Sequence, residues 1–490
     1  MIATDWLGER ARRTPDATAI VHAGRTLSWA ELDAQASRHA ASLRSEGVVG
    51  GERVGLLCGD GPAFAAWVHG IERAGAVLVP LNRRWAAPEL DRALAHARVG
   101  RLVHDPAHAD LAGRLAVPRE RRGIASAPAP STRFDRLRSA DDPFAVLFTS
   151  GTTGRAKAAE LSRGGFFWSA VASAFHLGAL PGDRWLACMP LFHVGGLSIL
   201  TRSVLCGSAV CVHGRFDAEA VDAALDADGI TLVSLTATML QRLLRVRGER
   251  PAPAGLRAVL LGGGPCPAPL VERARARGFP VAPTYGLTEA CSQVATRPPG
   301  APSEAGLVPL PGTQLRIAAD TGHDANAGEV GEILVRGPTL MRAYLHDAQA
   351  TAQTLRDGWL HTGDLGRLDA EGGLHVVDRR SDLIVSGGEN VYPAEVEQVL
   401  LAHPAVAEAA VAGVDDAEFG RRPAAWWVLR PGARADAGDL RRFCRERLAG
   451  YKVPVAFHRL EALPRDGAGK LLRRRLAPTE GRASGPAPAP

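Results

Sequence analysis

The sequence predicts an α/β protein in two parts: a large N-terminal domain of sheets flanked by helices, residues 1–380, and a small C-terminal α+β domain, residues 381–478. Three observations lead there. A chain of 490 residues outgrows a single hydrophobic core. Its first two-thirds repeat one unit, a short apolar run that ends in turn or polar residues and is followed by a helix-like stretch. Beyond residue 380 the texture changes to a strand, helix, strand, strand, helix order, in a length that suits one small domain.

The apolar runs are ERVGLLCG (52–59), AGAVLVPL (74–81), PFAVLFTS (143–150), DRWLACMP (183–190), SAVCVHG (208–214), ITLVSL (230–235) and LRAVLLGGG (256–264). Separated by stretches such as AWVHGIERAG (66–75), they predict strands with helices on their faces. Residues 119–142, rich in Arg, Ala, Pro and Ser, read as a surface connection. In the C-terminal part, DLIVSGG (382–388) reads as a strand and YPAEVEQVLLAH (392–403) as a helix with Pro393 near its start. VAEAAVAGV (406–414) and AAWWVLRPG (424–432) read as strands, and DAGDLRRFCRERLAG (436–450) as a helix. The Pro/Ala-rich residues 479–490 offer nothing to bury and read as a disordered tail.

Composition narrows the function classes. With 46% hydrophobic and 22% charged residues, the chain reads as soluble and globular. A net charge of +6, with no basic block interleaved with aromatics, argues against a nucleic-acid partner. No apolar run reaches the ~18 residues of a membrane span, and the N-terminus shows no signal-peptide pattern. Seven cysteines, an odd number with no CxxC, predict reduced thiols and a cytoplasmic protein. Oligomeric state stays open, a homo-oligomer included.

The most informative stretch is FAVLFTSGTTGRAKAAELS (144–162). An apolar strand runs into Thr149, Ser150, Gly151, Thr152, Thr153 and Gly154, then reaches Lys157. Glycines allow close backbone approach, and hydroxyls with exposed N–H groups make a nest for phosphate oxygens. A polar turn alone would use fewer such residues. The spacing G-x-x-x-x-G-K-[ST] cannot be laid over it, which excludes a Walker A loop.

Lysine usage points the same way. Of 58 basic residues only three are lysines, Lys157, Lys452 and Lys470, so a lysine here marks a place where a compact ammonium differs from a guanidinium fork. Lys470 sits in LPRDGAGK, between glycine-rich turn residues and the end of the folded chain.

Together with MPLFHVGG (His193), LLGGGPCP, TYGLTEA, DGWLHTGDLG (Asp364), DRRSDLIVSGGENVYP (Arg379) and YKVP, these stretches resemble, in order and over almost the whole chain, the acyl-adenylate-forming superfamily of acyl-CoA synthetases, adenylation domains and luciferases. The resemblance implies ATP and CoA as co-substrates with Mg²⁺, and a mobile C-terminal domain hinged near Ser381. It implies that the 149–154 loop and Lys157 hold the ATP phosphates. Gly263, Gly264 and Pro265 would lie along the adenine and Tyr285 would stack on it, with Gly286 and Thr288 beside the nucleotide. Asp364 and Arg379 would grip the ribose, and Glu289 would hold Mg²⁺. Lys470 would act between the acid and the α-phosphate, with His193 in the catalytic set. Gly387 and Gly388 would shape the pantetheine tunnel.

PLFHVGGLSILTRSVLCGSAVCVHG (190–214), TATMLQRLL (236–244) and LLGGGPCPAPLVERARARGFPVAPTYGLTE (260–289) are more similar to the o-succinylbenzoate–CoA ligases of menaquinone synthesis than to fatty acyl-CoA synthetases. The physical clue is Arg202, the only formal charge between His193 and Arg215. Ser198 lies one turn away at i,i−4, and Thr284 completes the expected acid-binding set. A buried arginine needs an anion or a route to water, and an internal ion pair is the competing explanation. The expected reaction converts o-succinylbenzoate and CoA to the thioester through an acyl-adenylate, releasing AMP and pyrophosphate. Gly195 departs from the serine common in those ligases. A fatty or aryl acyl-CoA synthetase, and a stand-alone adenylation enzyme serving a carrier protein, remain alternatives. A non-catalytic binding protein does not fit a complete set of Thr152, Glu289, Asp364, Arg379 and Lys470.

Overall fold

The computed structural model describes residues 2–3, 5–116, 120–123, 138–149, 157–264, 266, 268–319, 323–379, 384–464, 473 and 476. The chain divides between residues 381 and 382 into two compact units. Ser381 and the Pro/Ala-rich residues 479–490 lie outside the described residues.

The larger unit is built on three main sheets. A nine-stranded sheet has a parallel centre, in which Ala258–Leu261, Leu232–Leu235, Arg184–Ala187 and Ala209–Val212 lie side by side. Ala258–Leu261, Leu232–Leu235 and Ala209–Val212 are buried at every position, and Arg184–Ala187 at every position but Arg184. Burial on both faces is why these runs are continuously apolar rather than alternating. Strand Val281–Leu287 extends the parallel set and turns back antiparallel into Ser292–Thr296. A seven-stranded sheet carries Arg53–Leu57, Val77–Pro80 and Pro143–Thr149, with Lys157–Ser162 returning antiparallel. A five-stranded antiparallel sheet holds Trp359–Leu368 and Leu374–Arg379.

Side-chain caps start the helices between these strands. Ser162, Thr236 and Asp217 each accept a backbone N–H at the start of Arg163–Leu177, Ala237–Arg247 and Ala218–Ala227, satisfying donors that the first turn leaves open. Ser28 and Glu31 form a reciprocal capping box on Trp29–Ser45.

The segment 119–142 is not wholly a surface connection. Glu120–Gly123 is an edge strand parallel to Arg101–His104, and Arg138–Ser139 pairs with Ile2–Ala3. Their polar sequences suit edges, where one side of the strand faces solvent.

In the smaller unit, Gly420–Leu429 pairs antiparallel with Val406–Asp416 and parallel with Ala456–Arg459. Helices Pro393–Leu401 and Ala437–Arg445 accompany this sheet, and Pro393 occupies the first helical turn where its missing N–H costs nothing. All seven cysteines are free thiols.

Candidate active site

Helix Val194–Cys206 begins at His193, its N-cap residue, and places Ser198 and Arg202 on one face. Both are buried, at 1% and 2% exposure. Arg202 Nη2 donates to Ser292 Oγ over 3.2 Å, and its guanidinium lies 5.4 Å from the Trp185 ring centre. Its Nε has no partner, and no carboxylate among the described residues pairs with it. Burial pushes its pKa down to about 10, so at neutral pH it remains a cation. The internal ion pair that would make Arg202 purely structural is therefore missing among the described residues.

Ser292 escaped the sequence reading. Its Oγ meets both Arg202 and Ser198, the latter at 3.4 Å. Ser292 has φ +98° and the preceding Cys291 φ +50°, two successive side-chain-bearing residues in left-handed space. Such backbone costs about 1–3 kcal/mol per residue and persists where the surroundings impose it. Here the imposing contact is Gly286, where an added Cβ would lie 1.9 Å from the Ser292 carbonyl oxygen. Only glycine lets the two strands approach this closely. Gly286 is thus explained by packing, beside any contact with nucleotide.

Thr284 is less available to a substrate than expected. Its Oγ1 donates to the Ala295 carbonyl at 3.2 Å and sits 2.6 Å from Thr296 Oγ1. Its methyl crowds Gly262, where a Cβ would stand 2.7 Å away.

At the expected nucleotide end, Tyr285 Oη donates to Asp364 Oδ2 over 2.7 Å. The hydroxyl ties the expected adenine-stacking ring to the expected ribose carboxylate. Asp364 stands opposite Arg379 in the strand register; the Arg379 side chain lies outside the described residues. Gly263, at φ +80°, and Gly264 follow strand Ala258–Leu261, while Pro265 lies outside the described residues.

The expected phosphate loop leaves strand Pro143–Thr149 and re-enters at Lys157, which pairs with Thr149. Thr149 Oγ1 donates to the Lys157 carbonyl at 3.5 Å. Ser150, Gly151, Thr152, Thr153 and Gly154 lie outside the described residues. Lys157 Nζ sits 4.7 Å from the centre of the Tyr344 ring, and Tyr344 Oη donates to Glu289 Oε1 over 2.7 Å. One tyrosine therefore gathers the expected phosphate-binding lysine and the expected Mg²⁺ ligand. The sequence hinted at it only through scarcity, since Tyr344 is one of four tyrosines.

Thr288 opens the single 3₁₀ turn Thr288–Ala290 that presents Glu289. Glu289 Oε1 is occupied by Tyr344, and no other hydrogen bond to this carboxylate occurs among the described residues. A carboxylate with an oxygen to spare fits Mg²⁺ held mainly by nucleotide phosphates. No group of three His, Cys, Asp or Glu residues among the described residues forms a protein-only metal cage.

In the smaller unit, Gly387 and Gly388 have φ +57° and +88°. They form the two-residue turn of the hairpin Ile384–Ser386 to Glu389–Val391, where both central positions need left-handed backbone. Lys452 is 3% exposed, and its Nζ pairs with Glu395 Oε1 at 2.8 Å. This lysine anchors helix Pro393–Leu401. Lys470 lies outside the described residues.

The chain matches the model of the AMP-binding enzyme family over residues 7–345 and that of the AMP-binding enzyme C-terminal domain over residues 395–470. It is 40% identical over 478 residues to a 2-succinylbenzoate–CoA ligase of Bacillus licheniformis, covering 96% of this chain and 99% of the relative. The 2-succinylbenzoate–CoA ligase of Bacillus subtilis is 40% identical over 481 residues, with 96% and 97% covered. A double mutant of o-succinylbenzoate CoA synthetase from Bacillus subtilis, bound with the product analogue OSB-NCoA, superimposes with a TM-score of 0.91 at 39% identity, covering 97% and 98% of the two chains. The synthetase from the same organism in complex with the acyl-adenylate intermediate OSB-AMP gives 0.74 at 38% identity, covering 99% and 100%. An amide bond synthetase from Marinactinospora thermotolerans gives 0.85 at 31%, covering 95% and 97%.

Proposed function

The chain belongs to the AMP-binding enzyme family, and from that premise we propose that it is an AMP-forming 2-succinylbenzoate–CoA ligase of menaquinone biosynthesis. Its substrates are ATP, o-succinylbenzoate and CoA. A carboxylate oxygen of the acid attacks the α-phosphorus of ATP, the bond to pyrophosphate breaks, and acyl-AMP forms. The CoA sulfur then attacks the acyl carbon, and AMP leaves with the electron pair of the broken C–O bond.

The observation that carries the choice of acid is Arg202. It is a buried cation without a carboxylate partner among the described residues, on the helix that starts at His193. A diacid supplies the missing anion through the carboxylate that is not activated. A fatty acid would leave the cation dry and unpaired. Ligases for 2-succinylbenzoate at 40% identity over nearly the whole chain support the same reading.

The remaining roles are those the family resemblance implies. Asp364, oriented by Tyr285, takes the ribose, and the 149–154 loop with Lys157 takes the phosphates. Mg²⁺, when bound at Glu289, would offset charge on the phosphate oxygens; the Tyr344 hydroxyl holds one oxygen of the Glu289 carboxylate. Residues 381–478 act as the moving domain hinged at Ser381, bringing Lys470 for the first step and the Gly387–Gly388 turn for the second.

Incubating the protein with ATP, CoA and either o-succinylbenzoate, benzoate or a fatty acid tests the reading. AMP and pyrophosphate should appear with the diacid far faster than with either monoacid. Release of ADP and phosphate, or a preference for a fatty acid, overturns it. Ser292→Ala should raise the KM for o-succinylbenzoate by roughly tenfold, because a hydrogen bond that holds a charged group is worth about 1.5–3 kcal/mol. The KM for ATP should stay put, and steady-state kinetics in both substrates reads the split.

A further inference from the structure

Asp364, the expected ribose ligand, sits on a distortion of its own strand. Strands Gly331–Arg336 and Trp359–Leu368 pair antiparallel, with Glu332 opposite Leu365 and Leu334 opposite His361. One residue, Ile333, therefore faces three: Thr362, Gly363 and Asp364. Such a bulge interrupts the ladder, and bulges beside functional sites re-aim a side chain. Gly363 takes φ +72°, left-handed backbone that glycine adopts at no steric cost.

A bulge takes backbone N–H groups away from their strand partners, and each must find another acceptor. Here side chains replace the ladder. Gly363 N donates to Glu332 Oε1 over 2.8 Å, and Asp364 N donates to Thr362 Oγ1 over 3.1 Å. The Thr362 hydroxyl in turn donates to the Ile333 carbonyl over 2.7 Å. The second oxygen of Glu332 lies 3.3 Å from His361 Nδ1, where the bulge begins. The Asp364 carboxylate accepts from the Tyr285 hydroxyl, so the residue is held through its backbone and its side chain at once.

The simpler explanation of Glu332 is a cross-strand ion pair with His361. Their side chains are 30% and 21% exposed, and a pair so open to solvent contributes little. It also leaves Glu332 Oε1 unexplained, because the shorter of the two contacts goes to the backbone of the residue before Asp364.

We propose that Glu332 is a positioning residue for nucleotide recognition: it holds the Gly363 N–H, this fixes the bulge, and the bulge aims Asp364 at a ribose hydroxyl. Glu332 acts through Asp364 rather than on the nucleotide. The proposal rests on Asp364 serving the ribose and is independent of which acid is activated.

Calorimetric titration of the full chain with Mg²⁺ and ATP, 2′-deoxy-ATP or 3′-deoxy-ATP tests it. The ratio of dissociation constants for a deoxy analogue and for ATP reads the ribose contact alone. The parent should bind one of the two analogues about tenfold more weakly than ATP, the effect of one hydrogen bond to a charged group. Asp364→Ala should bring that ratio near one. Glu332→Ala should shrink it at least about threefold by weakening ATP and sparing the analogue, since a misaimed carboxylate loses the same bond. Glu332→Gln keeps an acceptor oxygen for Gly363 and should preserve the ratio. Glu332→Asp, one methylene too short for Gly363, carries the expectation of the alanine variant where that variant does not fold. A parent ratio near one, or a parental ratio in Asp364→Ala, removes Asp364 from the ribose and takes the proposal with it. If Asp364→Ala loses the preference and Glu332→Ala keeps it, the ribose assignment stands and the proposal alone falls. Equal weakening of ATP and both analogues by Glu332→Ala makes Glu332 a part of the sheet. A loss in Glu332→Gln as large as in alanine assigns the effect to the His361 pair, and either result overturns the proposal.

Discussion

Lys470→Ala is expected to lower the rate of acyl-AMP formation by about 100- to 1000-fold, the usual effect of removing one group that stabilises charge in a transition state. Thioester formation from pre-made acyl-AMP should change by less than about threefold. The asymmetry follows from what each step needs. In the first, a carboxylate approaches an anionic phosphate, and charge builds on oxygens that only a nearby cation can offset. In the second, a thiol attacks an activated carbonyl and AMP departs as an already competent leaving group. An ammonium on four methylenes reaches between two anions where a guanidinium plane does not fit, so Lys470→Arg should remain nearly as impaired as the alanine variant. Pyrophosphate release in the absence of CoA reads the first step, and CoA ester formation from synthetic adenylate reads the second. Equal loss in both steps assigns Lys470 to folding or to general affinity and removes it from the adenylation chemistry.

The parallel centre of the large sheet was legible because Leu232–Leu235 and Ala258–Leu261 are apolar at nearly every position, the signature of strands covered on both faces. The small unit was legible because its helices carry start signals, Pro393 and the Asp436 capping box. Edge strand Glu120–Gly123 was not, since a charged strand open to solvent on one side has no apolar period to detect. At the site, motif residues were found where the chain places them close together, as in Thr284 to Glu289. Partners brought in from far along the chain were missed. Tyr344 meets Glu289 across 55 residues and Lys157 across still more, and Ser292 meets Arg202 across 90. No local spacing encodes such pairs. The strain at Cys291 and Ser292 was equally hidden, because it comes from a neighbouring strand pressing on Gly286 and not from the residues' own preferences.

Arg202→Gln should separate function from stability in a way that a structural arginine cannot. The side chain is 2% exposed, lacks a carboxylate partner among the described residues, and has its pKa pushed down to about 10 by burial. For a base, a folded pKa below the unfolded one means that folding disfavours the charged form. Below about pH 10 the protein therefore folds around a cation that would be better solvated in the unfolded chain, and that penalty fades only as pH rises past the folded value. Glutamine keeps much of the length and a donor for Ser292 but carries no charge. In the absence of substrate the variant should melt at or above the parent's temperature, since an unpaired buried charge has been removed. With o-succinylbenzoate the balance reverses. The diacid loses its cation, and kcat/KM for it should fall at least about tenfold, one decade per 1.4 kcal/mol of a charged hydrogen bond worth about 1.5–3 kcal/mol. The KM for ATP should barely move, because Tyr285, Asp364 and Lys157 lie on other strands. Thermal melts with and without the diacid, alongside steady-state kinetics, read both halves at once. A variant that melts lower and turns over o-succinylbenzoate normally makes Arg202 part of the core, and the choice of this acid then rests on similarity alone.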